Sequence, residues 1–148
     1  MSDYGGPLLF DNSVWARLLD KRLTGAPRET FEQALASGEL WTCPPTLLEI
    51  RYSARDDHEF PLIAEELGAL EHAPLSGRAG TAAVSAQAEL AAVPGISHRV
   101  KPVDLLIAAI AAEHGLGVLH YDHDYDTIEQ HTALSFASVW AAPRGSLG

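Results

Sequence analysis

Short apolar runs alternate along this chain with longer stretches whose apolar residues recur at helical spacing. Leu8–Phe10 is the first run, ending at Asp11, and reads as a buried strand. Val14–Leu23 follows with Val14, Trp15, Leu18 and Leu19 on one helical face, closed by Gly25 and Pro27. Arg28–Ser37 is predicted as a second helix stopped by Gly38, and Leu40–Cys43 as a short strand. Pro44 and Pro45 break the chain before a helix over Thr46–Ala54. Phe60–Leu70 is amphipathic, Glu71–Pro74 a brief strand, and Gly77–Ala92 an Ala-rich helix ended by Pro94-Gly95. Asp104–His114 is apolar almost all round, which predicts a central buried helix stopped by Gly115 and Gly117. Val118–Tyr121 and Phe136–Trp140 complete the strands. Short apolar strands alternating with helices define an α/β fold: a central, mostly parallel sheet of about five short strands flanked by helices.

The length of 148 residues suits a single domain spanning 1–148, with residues 142–148 a flexible tail. No internal repeat or linker interrupts it. No apolar stretch reaches the roughly 18 residues of a membrane span. The opening MSDYGGPLLF has neither the basic nor the apolar segment of a secretory signal. The one cysteine, Cys43, has no partner for an internal disulfide and fits a reducing, cytoplasmic setting. Its small apolar side chain suits the core better than catalysis.

Charge changes this picture. Twenty acidic residues against ten basic ones give a net charge of -10, a surface that repels polyanions. Some of the acids stand where an apolar run stops or a helix begins: Asp11, Glu49, Asp104, and the pair Asp122 and Asp124. In open α/β sheets ligands bind beyond the carboxyl ends of the strands, and Asp11 and Asp122 each follow a predicted strand. Each acid also has a local explanation. Asp11, Asn12 and Ser13 are all good caps for the helix at Val14. Thr46-x-x-Glu49 fits a capping box, and Asp104 favours the dipole of its own helix. The run HYDHDYD reads equally as a solvated turn. Taken jointly, several carboxylates drawn together by the fold repel one another, and a bound Mg²⁺ or Mn²⁺ removes the conflict.

Other chemistries fit less well. Asp122-x-Asp124-x-Asp126 begins like a calcium loop, but Thr127 stands where that loop needs Gly and Ala133 where it needs Glu. His120-x-x-His123 has no further Cys/His cluster to complete a zinc site. There is no Gly-rich phosphate loop and no G-x-S-x-G elbow.

The segments LLFDNSVWARLL, CPPTLLEIRYSAR, HRVKPVDLLIAAIAAEHGLGVLHYDHDYDTI and SFASVW, in this order and spacing, resemble the PIN-domain family, and within it the VapC-type ribonuclease toxins of bacterial toxin–antitoxin pairs. The long segment is the most specific: an apolar helix led by Asp, a strand, then D-x-D-[YF]. The resemblance implies a PIN-like domain acting as a Mg²⁺- or Mn²⁺-dependent endoribonuclease. In it Asp11, Glu49, Asp104 and Asp122 match the acidic quartet, Asp124 is auxiliary, and Ser13 is the hydroxyl near the first Asp. Either Asp122 or Asp124 completes the set. Cations held by these acids polarise the scissile phosphate and activate a water for in-line attack. Ser13 then orients a metal-bound water or caps the helix, and Arg51 and Arg99 hold RNA phosphate or form surface ion pairs.

The same resemblance implies a homodimer, an RNA substrate (transfer RNA or ribosomal RNA), and a cognate antitoxin that reaches the acidic pocket with Arg or Lys. Two alternatives remain at this point: a catalytically idle PIN-like binding module, and a receiver-like phosphoacceptor domain, which also joins an acidic cluster to Mg²⁺ on an α/β sheet.

Overall fold

A computed structural model describes residues 4–53, 65–96 and 100–147. Five strands form one sheet: β1 (Leu8–Phe10), β2 (Leu40–Thr42), β3 (Glu71–His72), β4 (Gly117–His120) and β5 (Ser138–Trp140). Their order is β3-β2-β1-β4-β5, and every neighbouring pair is parallel. The helices between them are α1 (Asn12–Leu19), α2 (Gly25–Ala36), α3 (Pro44–Tyr52), α4 (Gly77–Ala91), α5 (Pro102–His114) and α6 (Asp124–His131). Residues 65–68 are also helical, and the rest of the predicted Phe60–Leu70 helix up to residue 64 lies outside the described residues.

The alternation of the strands separates two cores. Leu9 and Val118 face one side, packed with Ala83, Leu90, Leu105, Ile107 and Ile110 of α4 and α5. Leu8, Phe10 and Leu119 face the other, with Trp15, Phe31 and Ile50 of α1, α2 and α3. All three residues of β1 are buried, as expected of a central parallel strand covered on both faces.

This order departs from the 2-1-3-4-5 arrangement of receiver domains, so the receiver-like alternative does not hold. It also fixes where a site belongs. The chain leaves β1 toward β2 on one side and reaches β4 on the other. The topological switch point therefore lies between the ends of β1 and β4, where Asp11 and the Asp122 loop emerge.

Local chemistry explains where element boundaries differ from expectation. Helix α1 starts at Asn12 because Asp11 takes the cap position and its side chain accepts from the Ser13 amide at 2.9 Å. Helix α2 begins at Gly25 and includes Pro27, rather than starting after them. Pro44 and Pro45 do not break the chain: they open α3, where the first turn lacks partners for its amides in any case. Thr46 is then the third helical residue, fully buried, with Oγ1 3.4 Å from Cys43 Sγ. It is no cap, so the predicted Thr46–Glu49 capping box does not form. The acidic run after β4 is not simply a turn, because α6 begins inside it at Asp124. In the segment expected to be a tail, Ala142 is buried, and the Leu147 amide donates to the Tyr121 hydroxyl at 2.7 Å.

Helix α5 ends at Gly115 in the left-handed conformation, φ 67°. An added Cβ meets no neighbour there, so the cost of a side chain is conformational alone. Gly115→Ala is expected to lower stability by about 1 kcal/mol. Urea unfolding monitored by circular dichroism measures this, with Gly115→Asn losing less.

Candidate active site

Four elements bring acids to the switch point. Asp11 follows β1, Glu49 stands on α3, Asp104 is in the first turn of α5, and Asp122 follows β4. Oxygens of Asp11, Glu49 and Asp104 lie within 4.8 Å of one another. Asp11 and Asp104 are buried and Glu49 is half-buried. Asp122 and Asp124 form a second group with His123, also within 4.8 Å. Of the five predicted acids the structure thus brings three into one cluster and two into an adjoining one.

Lys101 joins the two groups. Its Nζ lies 3.9 Å from Asp104 Oδ2 and 3.7 Å from Asp122 Oδ2, and its side chain is 59% exposed. Burial works against its charge, but Asp104, Asp122, Asp11 and Glu49 outweigh that effect and raise its pKa. Asp122 and Asp124 differ in their relation to the buried trio. The charge of Asp122 acts on both Glu49 and Asp104, whereas Asp124 contributes to neither. Asp122 Oδ1 accepts from the Asp124 amide at 3.0 Å, which orients the start of α6.

Ser13 sits in the first turn of α1 but does not cap it. Its Oγ accepts from the Tyr121 amide at 2.9 Å, pinning the loop after β4 to the residues after β1. The Asp122 amide donates to His120 Nδ1 at 3.1 Å, so this nitrogen carries no proton. The other, Nε2, then donates to Ser138 Oγ at 2.7 Å, and Ser138 donates to Asp126 at 2.6 Å. Burial lowers the His120 pKa to about 4, which keeps the ring neutral.

Two residues at the site escaped sequence reasoning as functional groups. Lys101 carries no motif of its own, although its place three residues ahead of Asp104 is a usable signal. Tyr125 was a letter in D-x-D-[YF]. Its hydroxyl donates toward Asp11 Oδ1 at 2.8 Å and Asp104 Oδ1 at 3.2 Å. Burial, and then the charges of Asp11 and Asp104, hold its pKa well above 10, so it remains a donor. Arg51 is exposed at the end of α3, and Arg99 lies outside the described residues.

The electrostatics match the geometry. Burial pushes the Asp104 carboxyl from 3.8 up to about 8, and repulsion from Asp11, Asp122 and Glu49 adds to it against the pull of Lys101. Burial, then Asp11, raises Glu49 as well. Asp104 Oδ2 is fully buried without a hydrogen-bond partner among the described residues. Hard oxygen donors, mutual repulsion and one buried oxygen without a hydrogen bond are together what a divalent cation would satisfy, so this donor set fits Mg²⁺ or Mn²⁺.

The PIN-domain family model matches residues 8–130. Ribonuclease VapC18 of Mycobacterium tuberculosis is 39% identical over 115 residues, covering 77% of this chain and 82% of that protein. Ribonuclease VapC51 of the same organism is 34% identical over 139 residues, covering 94% and 96%. Among solved structures, DNA-bound VapBC from Salmonella typhimurium superposes with a TM-score of 0.69 at 19% identity, covering 93% of this chain and 99% of that one. The chain belongs to the PIN-domain family, in its VapC group.

The raised Asp104 pKa has a defined consequence without metal. Between pH 3.8 and about 8 the folded chain keeps a proton that the unfolded chain has released. Stability therefore falls as pH rises through this window. Asp104→Asn removes the slope and is expected to stabilise the EDTA-treated protein at pH 8 by on the order of 3 kcal/mol. Urea titrations at pH 5 and pH 8 measure the difference.

Proposed function

We propose that the protein is a divalent-cation-dependent endoribonuclease toxin, neutralised by a cognate antitoxin. The observation that carries this reading is the largely buried carboxylate trio Asp11, Glu49 and Asp104 at the sheet's switch point, with an oxygen on Asp104 that takes no hydrogen bond among the described residues. Its chemistry agrees with the ribonuclease names of the relatives. Asp11, Glu49 and Asp104 hold the cation. Asp122 rather than Asp124 is the fourth acid, because its charge reaches Glu49 and Asp104 and its Oδ2 shares the Lys101 ammonium with Asp104. A Mg²⁺ or Mn²⁺ held by these acids would supply Lewis acidity at the scissile phosphate and lower the pKa of a water. The described side chains at the site offer no activated nucleophile, so their work is to bind, orient and balance charge. Ser13 acts by tethering Tyr121, which fixes the loop carrying Asp122.

Lys101 and the bound cations together offset the local negative field, which an RNA strand must approach against a net charge of -10. The protein acts as one domain and as a homodimer. Leu48, 70% exposed, and Tyr52, 92% exposed, line a groove together with Leu75, Val103, Leu106 and Glu49. An apolar face of this kind suits a second copy, which would set two acidic sites beside one another. The antitoxin presents a basic side chain to the acids. Lys101, already 3.7 Å from Asp122, illustrates how an ammonium is accepted at this rim.

Incubation of the purified protein with total RNA and Mg²⁺, followed by mapping of cut ends, tests the reading. Discrete cuts are expected. Asp11→Asn and Asp104→Asn should each lower the rate by about 100-fold or more while the circular dichroism spectrum is retained. Asp124→Asn should cost less than Asp122→Asn. Undiminished cleavage in excess EDTA would rule the proposal out.

A further inference from the structure

The Tyr125 hydroxyl is more than packing requires. Tyr125 is fully buried at the start of α6, its ring stacked on His120 with centroids 4.9 Å apart. Phenylalanine would fill nearly the same volume. Instead the single hydroxyl proton is shared between two carboxylates on different elements, Asp11 Oδ1 at 2.8 Å and Asp104 Oδ1 at 3.2 Å. Asp11 is then held at both oxygens, because Oδ2 accepts from the Ser13 amide. Asp104 is held at one, leaving Oδ2 as its buried oxygen without a hydrogen bond.

The ring that delivers this proton is fixed in turn. His120, on which it stacks, is held at both nitrogens by the Asp122 amide and Ser138. Asp126, which accepts from Ser138, also accepts from Trp140 Nε1 at 3.0 Å. A buried phenol held this firmly sets the orientation of whatever it bonds, and hydrogen-bonded outer partners of ligating carboxylates tune metal affinity.

We infer that Tyr125 is a positioning residue of the metal centre, its hydroxyl holding Asp11 and Asp104 in the orientations that a single cation requires. The inference rests on reading the acidic cluster as a metal site. Tyr125 touches no substrate and acts only through the two carboxylates. Its bond to Oδ1 of each leaves further lone pairs for a cation, so it persists when the cation binds.

Calorimetric titration of Mn²⁺ into the full chain tests this, with Tyr125→Phe and Ile128→Val compared against wild type. Tyr125→Phe keeps the ring and is expected to weaken Mn²⁺ binding about 10-fold. Ile128→Val trims one buried methylene on the same helix, has no hydrogen bond to offer either carboxylate, and is expected to melt lower in EDTA with unchanged Mn²⁺ affinity. Unchanged affinity in Tyr125→Phe would overturn the inference and leave the metal site standing. An equal weakening in both variants would also overturn it, reducing Tyr125 to support of α6. If wild type itself bound no Mn²⁺, the metal reading would fall and this inference with it.

Discussion

Repulsion among buried carboxylates is the constraint around which the molecule is organised. Helix α5 is apolar on nearly every face, and Leu105, Ile107, Ala108, Ile110 and Ala111 bury its middle. Each large side chain of this kind contributes roughly 1.5–3 kcal/mol when removed from water. That drive carries Asp104, in the first turn, into the interior beside Asp11. The surrounding chemistry answers the resulting conflict in pieces: a shared phenol proton, a helix-start amide, and an ammonium at the rim. None of these supplies a full opposite charge inside the cluster, and Asp104 remains reluctant to ionise. A site tuned this way has a standing electrostatic demand for a cation.

The supporting contacts are long-range. Ser13 meets Tyr121, Tyr125 meets Asp11, and Ser138 meets Asp126 through bonds that join strand ends and helix starts. Each acid is anchored by the backbone element that presents it, so the geometry is a property of the sheet. The order β3-β2-β1-β4-β5 places β1 and β4 side by side, and with them the loops that carry Asp11 and Asp122. An insertion in either loop would move an acid; one in the connection between α2 and β2 would not.

Much of this was legible in the sequence because periodicity is local. The strands at Leu8–Phe10 and Leu40–Thr42 and the helix ending at His114 follow from runs of apolar residues alone. What failed was punctuation. Pro44 and Pro45 read as a break although they open a helix, and HYDHDYD read equally as a solvated turn or as part of the acidic site, without the helix α6 that starts at Asp124. The acids were visible as types at element ends, but their division into a buried trio and an adjoining pair depends on distances between loops more than 100 residues apart, on the order set by the ladder of β1 and β4. Lys101 stands three residues ahead of Asp104 and Tyr125 follows the D-x-D pair, but which carboxylates each touches is set only by the fold.

The link from His120 through Ser138 to Asp126 ties the acidic loop to β5, the edge strand formed last along the chain. During synthesis the acids from Asp11 to Asp122 emerge before that strand. Until residues 138–140 pair with β4, the loop carrying Asp122 is held from the β1 side alone, by the Ser13 hydroxyl at the Tyr121 amide. The buried trio is presented by β1, α3 and α5, so what the last strand adds is a second hold on the residues around the Asp122 loop.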